Sequence, residues 1–136
     1  LKIRLDRISA TTIKIVNYLK QHQMVESVIF PFDKDFPQYQ LAKEQMQGAC
    51  GLFSFIIKAK KVAEIENFCE GLQHILMAVS WGGHESLIIP GWASIPQNEF
   101  DPSNKNHLMM RMYVGLEEVD YLIEDLERGF KKMKTS

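Results

Sequence analysis

Apolar residues change their spacing several times along this chain, and each change marks an element. From Ser9, the set Ile13, Val16, Tyr18 and Leu19 recurs at roughly helical intervals, with Ser9 suited to an N-cap and Gln21-His22-Gln23 to the exit. A first helix is expected there. Residues 25–30 are short, alternating and β-branched, and Pro31 ends them, which predicts a strand feeding a turn-like stretch over 32–36. Pro37 then suits the first position of a second helix that turns Leu41 and Met46 inward and stops at Gly48. Residues 51–57 run from alternation into a continuous apolar stretch, the pattern of a well-buried central strand.

After the basic turn at Lys58, Lys60 and Lys61, the positions Val62, Ile65, either Phe68 or Cys69, and Leu72 predict a third, amphipathic helix. Short strands are expected over 75–79 and 86–89, separated by Gly82-Gly83, which permit a sharp turn. Residues 90–106 hold three of the five prolines and lack periodicity, so a long surface loop is expected before a strand over 107–114. The last helix shows one stripe, Leu116, Val119, Leu122, Ile123, Leu126, Phe130 and Met133. Its acidic residues lie early and its basic residues late, in accord with the helix dipole. Acidic positions 117, 118, 120, 124 and 125 read as its wet face. The order of elements predicts an α/β fold, a two-layer sandwich of helices on a small, mainly antiparallel sheet.

A length of 136 residues suits a single domain over 1–136 with one core. Sixteen basic and seventeen acidic side chains are interspersed and nearly cancel, which disfavours a nucleic-acid footprint and a polybasic membrane patch. No apolar stretch approaches the roughly 20 residues of a membrane helix. Cys50 and Cys69, far apart in apolar surroundings, do not suggest a disulfide framework, so a cytoplasmic location is expected. Together with His74 and His84 they lack the spacing of a zinc site, and no metal is expected.

Candidate chemistry concentrates in two places. Arg111 lies in the strand over 107–114, sharing a face with Met109 and Tyr113. A guanidinium holds a carboxylate by two parallel hydrogen bonds, strongly so in a partly dry site. Spacing alone leaves open a solvated or structurally paired arginine. Ser80-Trp81-Gly82-Gly83 offers a hydroxyl, an indole donor and backbone that can approach a ligand closely. A tight turn with a core tryptophan is the other reading. Ser80 does not sit in a Gly-x-Ser-x-Gly elbow, which argues against a hydrolase nucleophile.

Residues 51–55 (Gly-Leu-Phe-Ser-Phe), 80–88 and 111–130 are specific in combination. With residues 7–19, Pro31 and residues 38–46, they resemble the C-terminal domain of the Cys/Met-metabolism family of pyridoxal-phosphate enzymes, of aspartate-aminotransferase-like fold. Tryptophan directly after the serine, and the run over 114–123, are most similar to bacterial cystathionine β-lyases within it. The resemblance implies that Arg111 grips the substrate α-carboxylate and that Ser80 and Trp81 line its pocket. It implies a carbon–sulfur lyase that abstracts the α-proton, stores the electrons in the cofactor and expels sulfur from Cβ, converting cystathionine to homocysteine, pyruvate and ammonia. A homotetramer is implied as well.

No lysine here has a context resembling the family's Schiff-base motif, so no catalytic residue, no cofactor-binding residue and no tight pyridoxal phosphate binding are expected in this chain. A large cofactor domain is expected as its partner. The alternatives are a cystathionine γ-synthase, cystathionine γ-lyase or methionine γ-lyase domain, or a non-catalytic amino-acid-binding module.

Overall fold

The computed structural model describes residues 1–135 and has five strands and four helices among them. In chain order these are α1 (Lys2–Gln21), β1 (Val25–Ile29), α2 (Tyr39–Gln45), β2 (Leu52–Ile57), α3 (Val62–Gly71), β3 (Leu76–Met77), β4 (Leu87–Pro90), β5 (Met109–Tyr113) and α4 (Val119–Met133). The strands form one sheet in the order β1-β2-β5-β4-β3. All neighbours are antiparallel except β3 and β4, which are parallel. Helices α1, α3 and α4 pack on one face, so the α/β sandwich expected from the element order is the observed architecture.

The core lies between that face and the helices. Phe53, Phe55 and Ile57 of β2 and Met110 and Met112 of β5 meet Ile15 and Leu19 of α1, Ile65 and Phe68 of α3, and Leu122, Leu126 and Phe130 of α4. The rings of Phe55, Phe68 and Phe130 form a contiguous file, with centroids 6.5 and 4.9 Å apart. Burial of each such side chain stabilises the fold by roughly 1.5–3 kcal/mol. Gly129 lies against Phe68, where an added Cβ would stand 2.9 Å from the ring, and its lack of a side chain lets α3 and α4 approach closely.

Several boundaries differ from the periodic reading, each for a local reason. Helix α1 begins at Lys2, seven residues before Ser9, and its buried stripe is Ile8, Thr11, Thr12, Ile15, Val16 and Leu19, while Ile13 is exposed. Thr12 satisfies its hydroxyl on the Ile8 carbonyl at 2.7 Å, so a polar residue serves an inward position. Helix α2 starts at Tyr39 and ends at Gln45, short of Gly48, and only Ala42 is buried. Leu41 and Met46 face outward at 43% and 44% exposure. A seven-residue helix outside the main core has no deep face to bury them. Cys50 is exposed rather than embedded in apolar surroundings, and Cys69 is half-buried. Leu116 precedes α4 and packs with Ile8, Leu87 and Tyr113 in a small second cluster on the opposite face of the sheet.

The largest departure is Asp125. It is fully buried instead of belonging to the wet face of α4. Its carboxylate accepts the backbone N–H groups of Gln73, His74 and Ile75 at 2.8, 3.0 and 2.8 Å, and Arg128 donates to it at 2.8 Å. Those three amides belong to the chain leaving α3 for β3 and have no ladder of their own, so the carboxylate supplies what the backbone requires. Burial pushes the carboxyl upward, but the backbone donors and Arg128 outweigh it and hold the group below the usual aspartate range.

No helix is long and apolar enough to cross a membrane among the described residues.

Asp125→Ala, which strands three amides and Arg128, is expected to lower unfolding free energy by about 2–4 kcal/mol in a urea titration. Because the folded-state pKa is depressed, this stabilisation is complete above the unfolded aspartate pKa of about 3.9 and disappears as pH falls through the folded value. Asp125→Asn should therefore show a flatter decline of stability with acid than the parent protein.

Candidate functional site

Strand β5 lies between β2 and β4, and its alternation decides which side chains reach the site. Arg111 pairs with Ser54 on one side and Ile89 on the other. Met110 and Met112 point into the core at 0% exposure, so Arg111 and Tyr113 project from the face opposite the three helices. Two flanking ladders hold the base of the arginine rigidly. Its guanidinium donates to the backbone carbonyl of Val79 and lies over the indole of Trp81, 5.3 Å from the ring centroid. Among the described residues it has no carboxylate partner. A hollow of about 340 Å³ opens beside it, walled by Val79, Ile89, Ala93, Ser94 and Met109.

Trp81 is brought here by the parallel pairing of β3 with β4. Parallel neighbours require the connecting chain to travel back along the strands, and residues 78–86 make that return run across the end of β5. Gly82 turns it with φ of 90°, a left-handed conformation that a β-carbon disfavours. The Tyr113 hydroxyl donates to the carbonyl of Gly83 at 3.0 Å. Burial, helped by the nearby Cys50 and Glu117, pushes the Tyr113 phenol above its ordinary value, so it remains a donor at neutral pH. Trp81 is 59% exposed, which removes the reading of a core tryptophan. Ser80 is exposed, and its hydroxyl makes no hydrogen bond among the described residues.

Arg111 and Trp81 thus meet side by side, with Ser80 between Trp81 and Val79 in the chain. The long loop over 90–106 carries two short 3-10 turns, Gly91–Ser94 and Gln97–Glu99, and the first supplies Ala93 and Ser94 to the wall. Three contributors escaped the sequence reading. The Val79 carbonyl is a backbone group without a sequence signal, while the periodic pattern assigns Ser86 to a strand and Glu117 to a wet helix face. In the structure Ser86 is fully buried and bonded to Glu117 through both its amide and its hydroxyl, at 2.7 Å each.

No group of three or more His, Cys, Asp or Glu could hold a metal among the described residues. Burial and the neighbouring Glu66 and Glu70 push the Cys69 thiol up to about 11, so it is an unreactive group at neutral pH.

A profile of the Cys/Met metabolism PLP-dependent enzymes matches residues 1–131. The chain belongs to that family. It is 34% identical to the cystathionine beta-lyase MetC of Escherichia coli (strain K12) over 139 aligned residues, which cover 98% of this chain and 34% of that protein. Against the cystathionine gamma-lyase of Sus scrofa it is 32% identical over 135 residues, covering 96% and 33%. Among solved structures, cystathionine gamma synthase from Xanthomonas oryzae pv. oryzae, in complex with aminoacrylate and cysteine, superposes with a TM-score of 0.84 at 27% identity, covering 98% of this chain and 35% of that one. Cystathionine gamma-lyase from Lactobacillus plantarum, complexed with L-serine, gives 0.82 at 33% identity, with the same coverage. This family member therefore spans about a third of the length of the curated relatives it matches.

Pyridoxal phosphate is the cofactor the family implies. The described residues of this chain do not fit it. Covalent capture of an aldehyde requires an amine that is readily deprotonated, as in a desolvated or cation-flanked lysine. Every lysine here is exposed. Lys20 is bound to Asp33 and Asp35, whose hydrogen bonds raise its pKa, the opposite of the required shift.

The purified chain supplied with pyridoxal phosphate is expected to release no pyruvate from cystathionine above a protein-free control. Borohydride reduction followed by peptide mapping should tag exposed lysines without preference for one position.

Proposed function

We propose that this chain is the C-terminal, substrate-carboxylate-binding domain of a longer pyridoxal-phosphate-dependent carbon–sulfur lyase acting on cystathionine. The observation that carries the reading is Arg111. It is a half-buried arginine at the centre of a sheet, without an acidic partner among the described residues, oriented by a backbone carbonyl and an indole toward an open hollow.

Keeping a guanidinium partly desolvated with no counter-charge costs free energy, and an incoming carboxylate repays it. The bond to Val79 occupies one edge of the planar fork and leaves other N–H groups to meet a carboxylate in its plane. Trp81 stacks beside the guanidinium and excludes water from one side, while the Ser80 hydroxyl stands at the lip as an adaptable donor or acceptor. In this reading Arg111, Ser80 and Trp81 hold and orient the α-carboxylate, and the pocket wall at Met109, Ile89 and Ala93 borders the remainder of the amino acid. Orientation of this kind contributes to catalysis by converting encounter into positioned contact. The groups that hold the cofactor and move the proton would come from a large domain outside these residues.

Cystathionine β-lyase is favoured over the γ-type enzymes because tryptophan directly follows Ser80 and residues 114–123 resemble the bacterial β-lyases. We take the intact enzyme to be a cytoplasmic homotetramer, as the family resemblance implies.

Product analysis of the full-length enzyme tests the reaction. Homocysteine and pyruvate are expected from cystathionine, whereas cysteine and 2-oxobutyrate would assign it to the γ-lyases. Arg111→Ala in that enzyme should lower kcat/KM by about a hundredfold or more, since loss of a bidentate charge-assisted contact is worth roughly 3 kcal/mol or more. Its melting temperature should change little, and a fall comparable to that of a core truncation would return Arg111 to a structural role.

A further inference from the structure

The return run that carries Ser80 and Trp81 is almost wholly exposed from Val79 to Glu85, and it pairs with no strand over those residues. Its position relative to Arg111 must come from point contacts. Three come from side chains of the stretch formed by β5 and the turn after it. Arg111 holds the Val79 carbonyl at the start of the run, Tyr113 holds the Gly83 carbonyl in the middle, and Glu117 holds Ser86 at the end.

The last contact is the most constrained. One carboxylate oxygen of Glu117 accepts the Ser86 backbone N–H and the other accepts its hydroxyl, both at 2.7 Å. The same Ser86 oxygen accepts the Gly115 N–H at 2.9 Å, and the Leu116 N–H donates to the His84 carbonyl at 2.8 Å. The two backbones lie so close that a Cβ on Gly115 would stand 2.2 Å from the His84 carbonyl oxygen, so only glycine fits. Ser86 is fully buried, which strengthens its charge-assisted hydrogen bonds and makes their loss costly.

We propose that Glu117 is a positioning residue for the substrate site: its two-point hold on Ser86 fixes the return run so that Trp81 and Ser80 stand at the working distance from Arg111. This rests on the reading of Arg111, Ser80 and Trp81 as the carboxylate site. The hold acts through Ser86 and touches no substrate. It links the loop to the chain segment that presents Arg111, so the two halves of the site share one frame.

The test uses the full-length holoenzyme with Glu117→Gln, Glu117→Ala, Ser86→Ala and Arg111→Ala, reading amide hydrogen exchange by segment alongside kcat and KM for cystathionine. Exchange of the Ser86, Gly115 and Leu116 amides, the hydrogen-bonded donors of this contact, should rise about tenfold in Glu117→Ala, the factor carried by a single hydrogen bond to a charged group, with β2 and α3 unchanged. Glu117→Gln, which retains one acceptor oxygen, should fall between Glu117→Ala and the parent. KM should rise by a similar factor of about ten, with a smaller change in kcat.

Unchanged exchange of the Ser86, Gly115 and Leu116 amides, or a uniform rise along the chain, would overturn the proposal. So would a local rise that leaves KM untouched while Arg111→Ala raises it. If Arg111→Ala itself leaves KM and kcat unaltered, the carboxylate reading fails, whatever the exchange data show. Should Glu117→Ala not fold, Glu117→Gln and Ser86→Ala carry the same comparison.

Discussion

The pairing of β5 between β2 and β4 is the constraint on which the rest of the molecule depends. A strand alternates its side chains between two faces, so one register decides both what is buried and what is presented. Placing Met110 and Met112 in the core obliges Arg111 and Tyr113 to emerge on the other face. A slip by one residue would bury the guanidinium among phenylalanines and expose two methionines. The hydrophobic core and the candidate site are thus two consequences of one hydrogen-bonded register, and the core helps to hold the site stiff.

Two carboxylates extend that frame to parts of the chain that the sheet does not reach. Asp125, on the inner side of α4, collects three amides between α3 and β3, and Glu117, just before α4, collects Ser86 after the return run. Each holds an irregular segment whose N–H groups have no ladder partner. Together they fix the segment before β3 and the one before β4, and hence both ends of the chain that bears Ser80 and Trp81. Buried charge is costly alone, and here backbone dipoles provide the compensation. An exposed loop gains a defined position without having to build a core beneath it.

In the function proposed for this chain, a site made this way is one side of a recognition surface. The guanidinium, indole and hydroxyl suit a carboxylate, while the lysines are all solvated and none suits covalent capture. That division fits a family relationship in which the chain matches about a third of its relatives' length. Carboxylate grip and cofactor chemistry can reside on different parts of a polypeptide, because only the first needs a rigid strand with a fixed arginine.

The elements with long-range periodic signals were legible in the sequence: the buried strand β2, the alternation of β5, the amphipathic α3 and α4, and hence the layered α/β class. Arg111 and the Ser80–Trp81 pair stand out in the sequence as candidates by residue type and family resemblance, and the structure brings Arg111 and Trp81 together. The exposed Leu41 and Met46, the buried Asp125 and the hold of Glu117 on Ser86 were not. Periodicity reports the average environment of a residue type, and it assigns leucine inward and glutamate outward. Whether a carboxylate meets three unpaired amides depends on contacts across 50 positions of chain, as between Asp125 and Ile75. Local sequence therefore determined which segments form helices and strands and which face each presents. The tertiary structure alone decided that β3 runs parallel to β4, that the return run crosses the end of β5, and that Trp81 lies against Arg111, because those arrangements arise from hydrogen bonds between residues far apart in the chain.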